Sequence, residues 1–287
     1  MRRARSRRGL RSLLGVALGA VLGAGAVLLG CGRQPGGVQG QAAAGPLTVY
    51  VPCVIATPMR EVIAAYGALH PELEIAVETD KPLALLGKAA GPQPGPAAVI
   101  TMGDVEMEWL ASVGAVAEED VQAIAANTYP LVVVAAADGA PGVREVADLV
   151  GSETKQIYVE DPAQSTLGAR AERAFEQLGL WEGIQPKVIR PDPQVMVLAE
   201  LVAGKGDATV LFRDCLFGES GEGASPPKTV RIIGEIPAEA YPPIFYQAAT
   251  LRGAGGQQAA RGLVSFLSSA EGQRALAASG LTPVREQ

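Results

Sequence analysis

Histidine and cysteine are scarce in this sequence of 287 residues, which contains one histidine and three cysteines. No Cys-x-x-Cys motif occurs, and the lone His70 offers no obvious general base for a cysteine nucleophile. These absences argue against a thiol oxidoreductase or another cysteine-dependent enzyme. We therefore expect neither enzymatic activity nor a bound cofactor, and we expect His70 to end a helix rather than to ligate a metal.

Basic residues are also in the minority, with 24 Lys and Arg against 30 Asp and Glu. Six of the arginines lie before position 31, and without them 18 basic residues face the same 30 acidic ones, a charge of about −12. Such a body repels nucleic acid and anionic lipid headgroups, and no basic stripe argues otherwise. Because 48% of the residues are hydrophobic and 19% charged, a folded globular body is expected.

The first 31 residues have the layout of a secretory signal, with an arginine-rich start and an apolar run from Leu13. The run ends in Leu28-Leu29-Gly30-Cys31, which resembles the lipobox of bacterial lipoproteins, in which the cysteine becomes the lipidated first residue. The stretch Ser6-Arg7-Arg8-Gly9-Leu10 also resembles a twin-arginine signal. An uncleaved membrane anchor is the alternative. Either way the body lies outside the cytoplasmic membrane, on a flexible tether formed by residues 32–45.

A strand, a loop and a helix open the folded part. Residues 47–51 are β-branched, aromatic or aliphatic, as in a buried strand, and Cys53 stands in the loop that follows. Thr57 and Pro58 then predict a helix cap and a first helical position. Because a strand that ends beside a helix start directs backbone N–H groups into a crevice, this loop is predicted to form half of a ligand site.

The rest of the chain alternates short strands with helices. Strands are predicted at 73–79, 98–101, 129–135, 156–159, 188–189, 207–212, 230–236 and 243–249. Helices are predicted at 83–90, 105–113, 143–149, 194–203, 259–268 and 270–278, with a further amphipathic one ending at 178. This order predicts an α/β fold with two successive units, each a mainly parallel sheet flanked by helices.

Several segments resemble the bacterial molybdate-binding periplasmic proteins, which are type II solute-binding proteins of ABC importers. They are the strand–loop–helix at 47–69, Glu160-Asp161-Pro162 at a strand end, the stretch 206–212, and the ending 264–283. The resemblance covers about residues 46–285 in the same order.

The resemblance implies two α/β lobes joined by a hinge of crossing strands, with the solute clamped between them. Lobe one would comprise 46–129 plus 241–287, and lobe two 130–240. The expected function is capture of a small inorganic oxyanion for an ABC permease by a monomeric, lipid-anchored periplasmic protein. A sensor lipoprotein that docks on a signalling receptor is an alternative.

In the resembled family, hydroxyls and backbone N–H groups from several helix starts hold the oxyanion. Here the corresponding starts are 53–57, 165–168 and 194–196. Ser165 and Thr166 are expected either to contact the ligand or to cap their helix. Val195 could contribute only its N–H, and its alternative is an ordinary core residue of a first helical turn.

The sequence departs from the family at three places that normally supply hydroxyls. Cys53 replaces a serine, the loop 79–82 reads Thr-Asp-Lys-Pro where the family loop is rich in Ser and Thr, and Phe212 replaces a tyrosine. Since a neutral thiol is a poor hydrogen-bond donor, Lys81 or Arg213 would have to compensate. Each of these cations is alternatively a solvated surface charge.

Two cysteines suggest a different ligand. The resemblance implies that Cys53 and Cys215 project from facing loops, with Met102 near the same cleft. Thiolate and thioether prefer soft ions such as Cu(I) or thiophilic species such as trivalent arsenic. A disulfide and two inert buried thiols are the alternatives.

Overall fold

The computed structural model describes residues 45–137, 142–192, 197–216, 228–253 and 257–284. The predicted signal, lipidation at Cys31, most of the tether and Val195 lie outside these ranges. Within them, no helix combines the length and apolar character that crossing a membrane requires.

The described ranges contain eleven strands and eight α-helices. The strands are β1 (Leu47–Pro52), β2 (Ile75–Asp80), β3 (Ala97–Thr101), β4 (Gln122–Ala126), β5 (Leu131–Ala136), β6 (Ile157–Tyr158), β7 (Val188–Ile189), β8 (Ala208–Phe212), β9 (Val230–Glu235), β10 (Phe245–Thr250) and β11 (Thr282–Pro283). The helices are α1 (Ala56–Leu69), α2 (Pro82–Ala89), α3 (Asp104–Ser112), α4 (Thr166–Gln177), α5 (Trp181–Ile184), α6 (Val197–Val202), α7 (Gln257–Ser268) and α8 (Ala270–Ala278).

The strands form two sheets, with the orders β11-β4-β10-β3-β1-β2 and β7-β6-β8-β5-β9. In the first, β1 pairs in parallel with β2 and β3, whereas β10 runs antiparallel to β3 and β4. In the second, β6 pairs in parallel with β7 and β8, whereas β5 runs antiparallel to β8 and β9. The α/β prediction is confirmed, but both sheets are mixed rather than mainly parallel, because the strands that connect them run against their neighbours.

The chain changes sheets twice. It leaves the first sheet between β4 and β5 and returns between β9 and β10. We call the first sheet with α1, α2, α3, α7 and α8 lobe one, and the second sheet with α4, α5 and α6 lobe two. Residue-level lobe boundaries at 129/130 and 240/241 stay a prediction.

Strand burial explains why these runs fold as sheets. Every residue of β3, β5 and β8 is buried, and these strands lie inside their sheets. Strands covered on both faces are typically almost continuously apolar in sequence. The edge strand β2 instead alternates partly buried and exposed positions over its first four residues. This contrast follows from sequence composition, since Val, Ile and Ala fill the central strands.

Three local predictions were wrong. A 3-10 turn at Cys53–Ile55 runs directly into α1, so the helix begins at Ala56 with Ile55 as its N-cap residue. Thr57 is therefore an exposed first-turn residue and makes no capping hydrogen bond. The segment 143–149 forms a 3-10 helix at Val146–Val150 rather than an α-helix. Strands β4 and β11 were missed, because their residues carry little β-branched character.

Two helical glycines provide a matched test of packing. A Cβ on Gly168 in α4 would lie 2.3 Å from the backbone oxygen of Glu160, whereas a Cβ on Gly87 in α2 would meet nothing within 4 Å. We expect Gly168→Ala to lower the free energy of unfolding by about 1–3 kcal/mol through overpacking. Gly87→Ala should raise it by about 0.5–1 kcal/mol through reduced chain entropy. Urea denaturation measures both, and equal effects would contradict the packing argument.

Candidate ligand site

The start of α4 is a compact set of hydrogen bonds in lobe two. Ser165 is the N-cap residue, and its hydroxyl accepts a hydrogen bond from the Gly168 N–H at 3.1 Å. The same hydroxyl donates to the carboxylate of Glu160, which stands just past β6. Ser165 and Thr166 are 1% and 0% exposed. The capping interpretation of Ser165 therefore agrees with the structure, and its oxygen is already engaged on both sides.

An acid from lobe one reaches the same helix start. Glu106 of α3 accepts a 3.0 Å hydrogen bond from the Thr166 N–H through Oε1, and its Oε2 accepts from the Thr166 hydroxyl. The Val105 N–H approaches that hydroxyl oxygen at 3.1 Å. The Glu106 carboxyl thus accepts from the first N–H of α4, at the helix end where the dipole favours negative charge.

An ion pair lies beside this contact. Both carboxylate oxygens of Asp104 accept from Nη2 of Arg170, at 2.8 and 2.7 Å. The Nε of Arg170 donates to the Pro242 carbonyl at 3.2 Å. The Arg170 guanidinium is therefore engaged by Asp104 and by the segment that returns the chain to lobe one.

Two carboxyl groups at the start of α4, those of Glu106 and Glu160, have raised pKa values. Burial raises the pKa of Glu106 to about 7 from an ordinary 4.5, although the two Thr166 hydrogen bonds oppose the shift, and the nearby Glu160 charge adds to it. Burial likewise raises the pKa of Glu160, against the effect of its hydrogen bond from Ser165. The site is thus acidic, desolvated and partly protonated near neutral pH.

Neither Cys53 nor Cys215 forms a disulfide. Cys53 is exposed in the 3-10 turn after β1, and Cys215 is partly buried in the 3-10 turn Arg213–Leu216 after β8. Desolvation, together with the charges of Glu160, Cys53 and Asp214, raises the pKa of Cys215 to about 12. Cys53 and Glu160 therefore each lie within electrostatic range of Cys215. Among the described residues, no three His, Cys, Asp or Glu side chains form a ready metal site.

Tyr246 adds a group that the sequence analysis did not single out. It lies on β10, is 1% exposed, and its hydroxyl finds no hydrogen-bond partner within the described ranges. Burial raises the pKa of the Tyr246 hydroxyl, and the charges of Tyr129, Cys215 and Asp214 contribute. The sequence offered no distinctive signal for Tyr246, because the same strand also carries the polar residues Gln247 and Thr250. Buried hydroxyls normally have a partner, so its position is noteworthy.

The remaining predicted residues are placed as follows. Met102 is 1% exposed and packs in the apolar core, and Phe212 is 3% exposed at the end of β8. Lys81 stands before α2, where its backbone N–H donates to Asp80. The guanidinium of Arg213 pairs with Glu235 at 3.4 Å, with both side chains about half exposed. Arg213 thus fits the surface-charge interpretation.

Two mixed sheets, two crossings between them and a polar contact between the lobes give a two-lobed α/β fold of the kind found in periplasmic binding proteins. Residues 47–282 match the family model described as bacterial extracellular solute-binding protein. The chain belongs to that family, whose members bind solutes and are not enzymes.

Individual relatives are distant. The putative ABC transporter substrate-binding lipoprotein YvgL of Bacillus subtilis is 24% identical over 170 residues, which cover 59% of this chain and 60% of that protein. The periplasmic molybdate-binding protein of Azotobacter vinelandii is 15% identical, with a TM-score of 0.55 and coverage of 84% of this chain and 100% of that one. Iron-bound HitA of Pseudomonas aeruginosa is 16% identical, with a TM-score of 0.51 and coverage of 84% and 89%. These structures share the fold and bind different solutes.

The raised pKa of Glu106 makes stability depend on pH. Because the folded state holds this proton more tightly than the unfolded state, its stabilising effect is complete below about pH 4.5 and is lost as the pH rises through about 7. The free energy of unfolding should therefore fall less with rising pH in Glu106→Gln, by roughly 3 kcal/mol over the whole range. Chemical denaturation from pH 4 to pH 9 measures it.

Glu108 supplies the control for this prediction, because it is exposed on the same helix. Glu108→Gln should leave the pH profile as in the unmodified protein. Some slope should persist in Glu106→Gln, since Glu160 also carries a raised pKa. Identical profiles for the two glutamine variants would contradict the prediction.

Proposed function

We propose that this chain is the solute-binding component of an ABC importer, which captures a small inorganic solute between its lobes and delivers it to a membrane permease. The family match and the similarity to a putative importer lipoprotein support this role. The lipobox-like Leu28-Leu29-Gly30-Cys31 supports a lipid anchor on the outer face of the membrane. Binding and hinge closure make up the mechanism, and no chemical conversion is involved.

We further propose that the solute is thiophilic. The observation that carries this proposal is that Cys53 and Cys215 are outside any disulfide and lie within electrostatic range of each other at strand ends of the two lobes. Of the two cations expected to favour an oxyanion, Lys81 and Arg213, the second pairs with Glu235. Two desolvated acids, Glu106 and Glu160, oppose a dianion further.

Two classes of thiophile fit two thiols. Trivalent arsenic as As(OH)₃ exchanges two hydroxyls for two sulfurs, and each thiol proton leaves with a hydroxyl as water. Cu(I) binds two thiolates, and both thiol protons are released to solvent. Neither class requires an oxidant, and each forms a bridge between loops of opposite lobes.

A molybdate-like oxyanion is the second candidate. It is favoured by the start of α1, where no side chain caps the helix and no acid occurs in the first turn. Backbone N–H groups there can hold an anion without competition from a resident carboxylate.

Ligand-dependent melting separates the two candidates. We expect arsenite or Cu(I) to raise the melting temperature and molybdate, tungstate and sulfate to leave it unchanged, because only a ligand that prefers the folded state stabilises it. Cys53→Ser and Cys215→Ser should each abolish the shift.

Cys31→Ser is the control in that experiment, since it changes the cysteine predicted to carry the lipid rather than a thiol of the proposed site, and it should preserve the shift. A shift produced by molybdate that survives Cys53→Ser would establish the oxyanion candidate instead. Lack of a response to every tested solute would contradict both ligand classes.

The pH dependence of affinity identifies which thiophile is bound. Because Cys215 holds its proton up to a pKa of about 12, Cu(I) must displace it, and the affinity should rise by up to about tenfold per released proton for each pH unit. Arsenite affinity should stay flat over the pH range in which As(OH)₃ is neutral, since its exchange releases water only. Competition titrations between pH 6 and pH 8 measure this, and a Cu(I) affinity that falls with pH would contradict the thiolate site.

A further inference from the structure

The buried carboxyl of Glu106 is unfavourable for the stability of the folded state. It is 2% exposed on α3, whose buried face also carries Met107 and Leu110, and the neighbouring acid Glu108 faces solvent. Placing a carboxyl in such surroundings lowers stability unless hydrogen bonds compensate for the lost hydration. The compensation comes from the other lobe, through the N–H and the hydroxyl of Thr166.

The backbone geometry brings the two helices unusually close at this point. A Cβ on Gly103, the N-cap residue of α3, would lie 2.4 Å from the Thr166 hydroxyl oxygen, so only glycine fits there without displacing Thr166. The ion pair of Asp104 with Arg170 holds the same two helices together one turn further on. Four consecutive residues of lobe one, 103–106, thus contact the first turns of α4.

We propose that Glu106 is a built-in anion: its carboxyl occupies the donor groups at the start of α4, joins the two lobes there, and excludes an external oxyanion from that position. Glu106 is therefore a specificity-determining residue of the binding cleft.

The electrostatics of the neighbourhood support this assignment. The groups that face Glu106 are Thr166 from α4, the Asp104–Arg170 pair and, beyond Ser165, the carboxyl of Glu160. The only cation in this set, Arg170, is engaged by Asp104 through both of its oxygens. An incoming dianion would have to displace one carboxylate, approach a second and find no cation available among these groups.

The proposal rests on the proposed capture of solute between two lobes, but its test does not depend on the thiols. In Glu106→Ala the Thr166 N–H and hydroxyl lose their carboxylate partner, so the helix start becomes available to an anion. We expect the apparent affinity for sulfate and for molybdate, measured by thermal shift at constant ionic strength against chloride, to rise at least about tenfold over the unmodified protein. Glu106→Gln should show no such gain, because its amide oxygen can accept from the Thr166 N–H while its NH₂ group donates to the Thr166 hydroxyl oxygen.

Glu108→Ala is the matched control, an exposed acid to alanine change on the same helix that should leave the anion response unchanged. If Glu106→Ala does not fold, Glu106→Ser also removes the carboxyl, leaves room for an anion beside Thr166, and should give a gain of the same sign. Equal anion responses in the folded variants and the unmodified protein would overturn the proposal. Failure of arsenite and Cu(I) to bind through Cys53 and Cys215 would contradict the proposed thiophilic ligand. It would not affect the test of Glu106, which measures the affinity for anions.

Discussion

The arrangement of the cleft depends on one interaction between the lobes. Lobe one supplies a buried carboxyl, and lobe two supplies the hydrogen bonds that replace its lost hydration. Glu106 loses water on α3 and regains hydrogen bonds from Thr166 on α4. Without this contact each lobe would be less stable. Lobe one would bury an unpaired acid on α3, and lobe two would leave the first N–H of α4 without its partner. The contact therefore couples the lobes more specifically than apolar packing does, since hydrogen bonds to charged groups require defined geometry.

Sheet topology explains why the two cysteines come within electrostatic range of each other. Cys53 follows the carboxyl end of β1 and Cys215 follows the carboxyl end of β8, and both strands lie inside their sheets rather than at an edge. In α/β proteins, ligands bind in the crevice outside such strand ends. Two residues separated by more than half of the described chain thus approach each other because the chain crosses between the sheets twice.

The fold was largely predictable from the sequence, whereas the polar contacts of the cleft were not. Strand β1 and helix α8 follow from local composition and periodicity, which do not depend on distant residues. The role of Glu106 required knowing that α3 faces α4, although an acid four residues before the buried Leu110, on the same helix face, was a detectable signal. The same holds for Tyr246, whose unpartnered hydroxyl is a property of tertiary packing alone.

Desolvation raises the pKa values of four groups around the cleft, which are Glu106, Glu160, Cys215 and Tyr246. Burial therefore opposes negative charge at each of these groups. A dianion would raise these pKa values further and gain only weak donors. A soft cation such as Cu(I), or As(OH)₃, instead displaces the thiol protons of Cys53 and Cys215 and forms bonds to the two sulfurs, with the protons leaving to solvent or as water. The opposition of burial to added negative charge is thus the physical reason that a thiophilic solute is proposed in preference to an oxyanion.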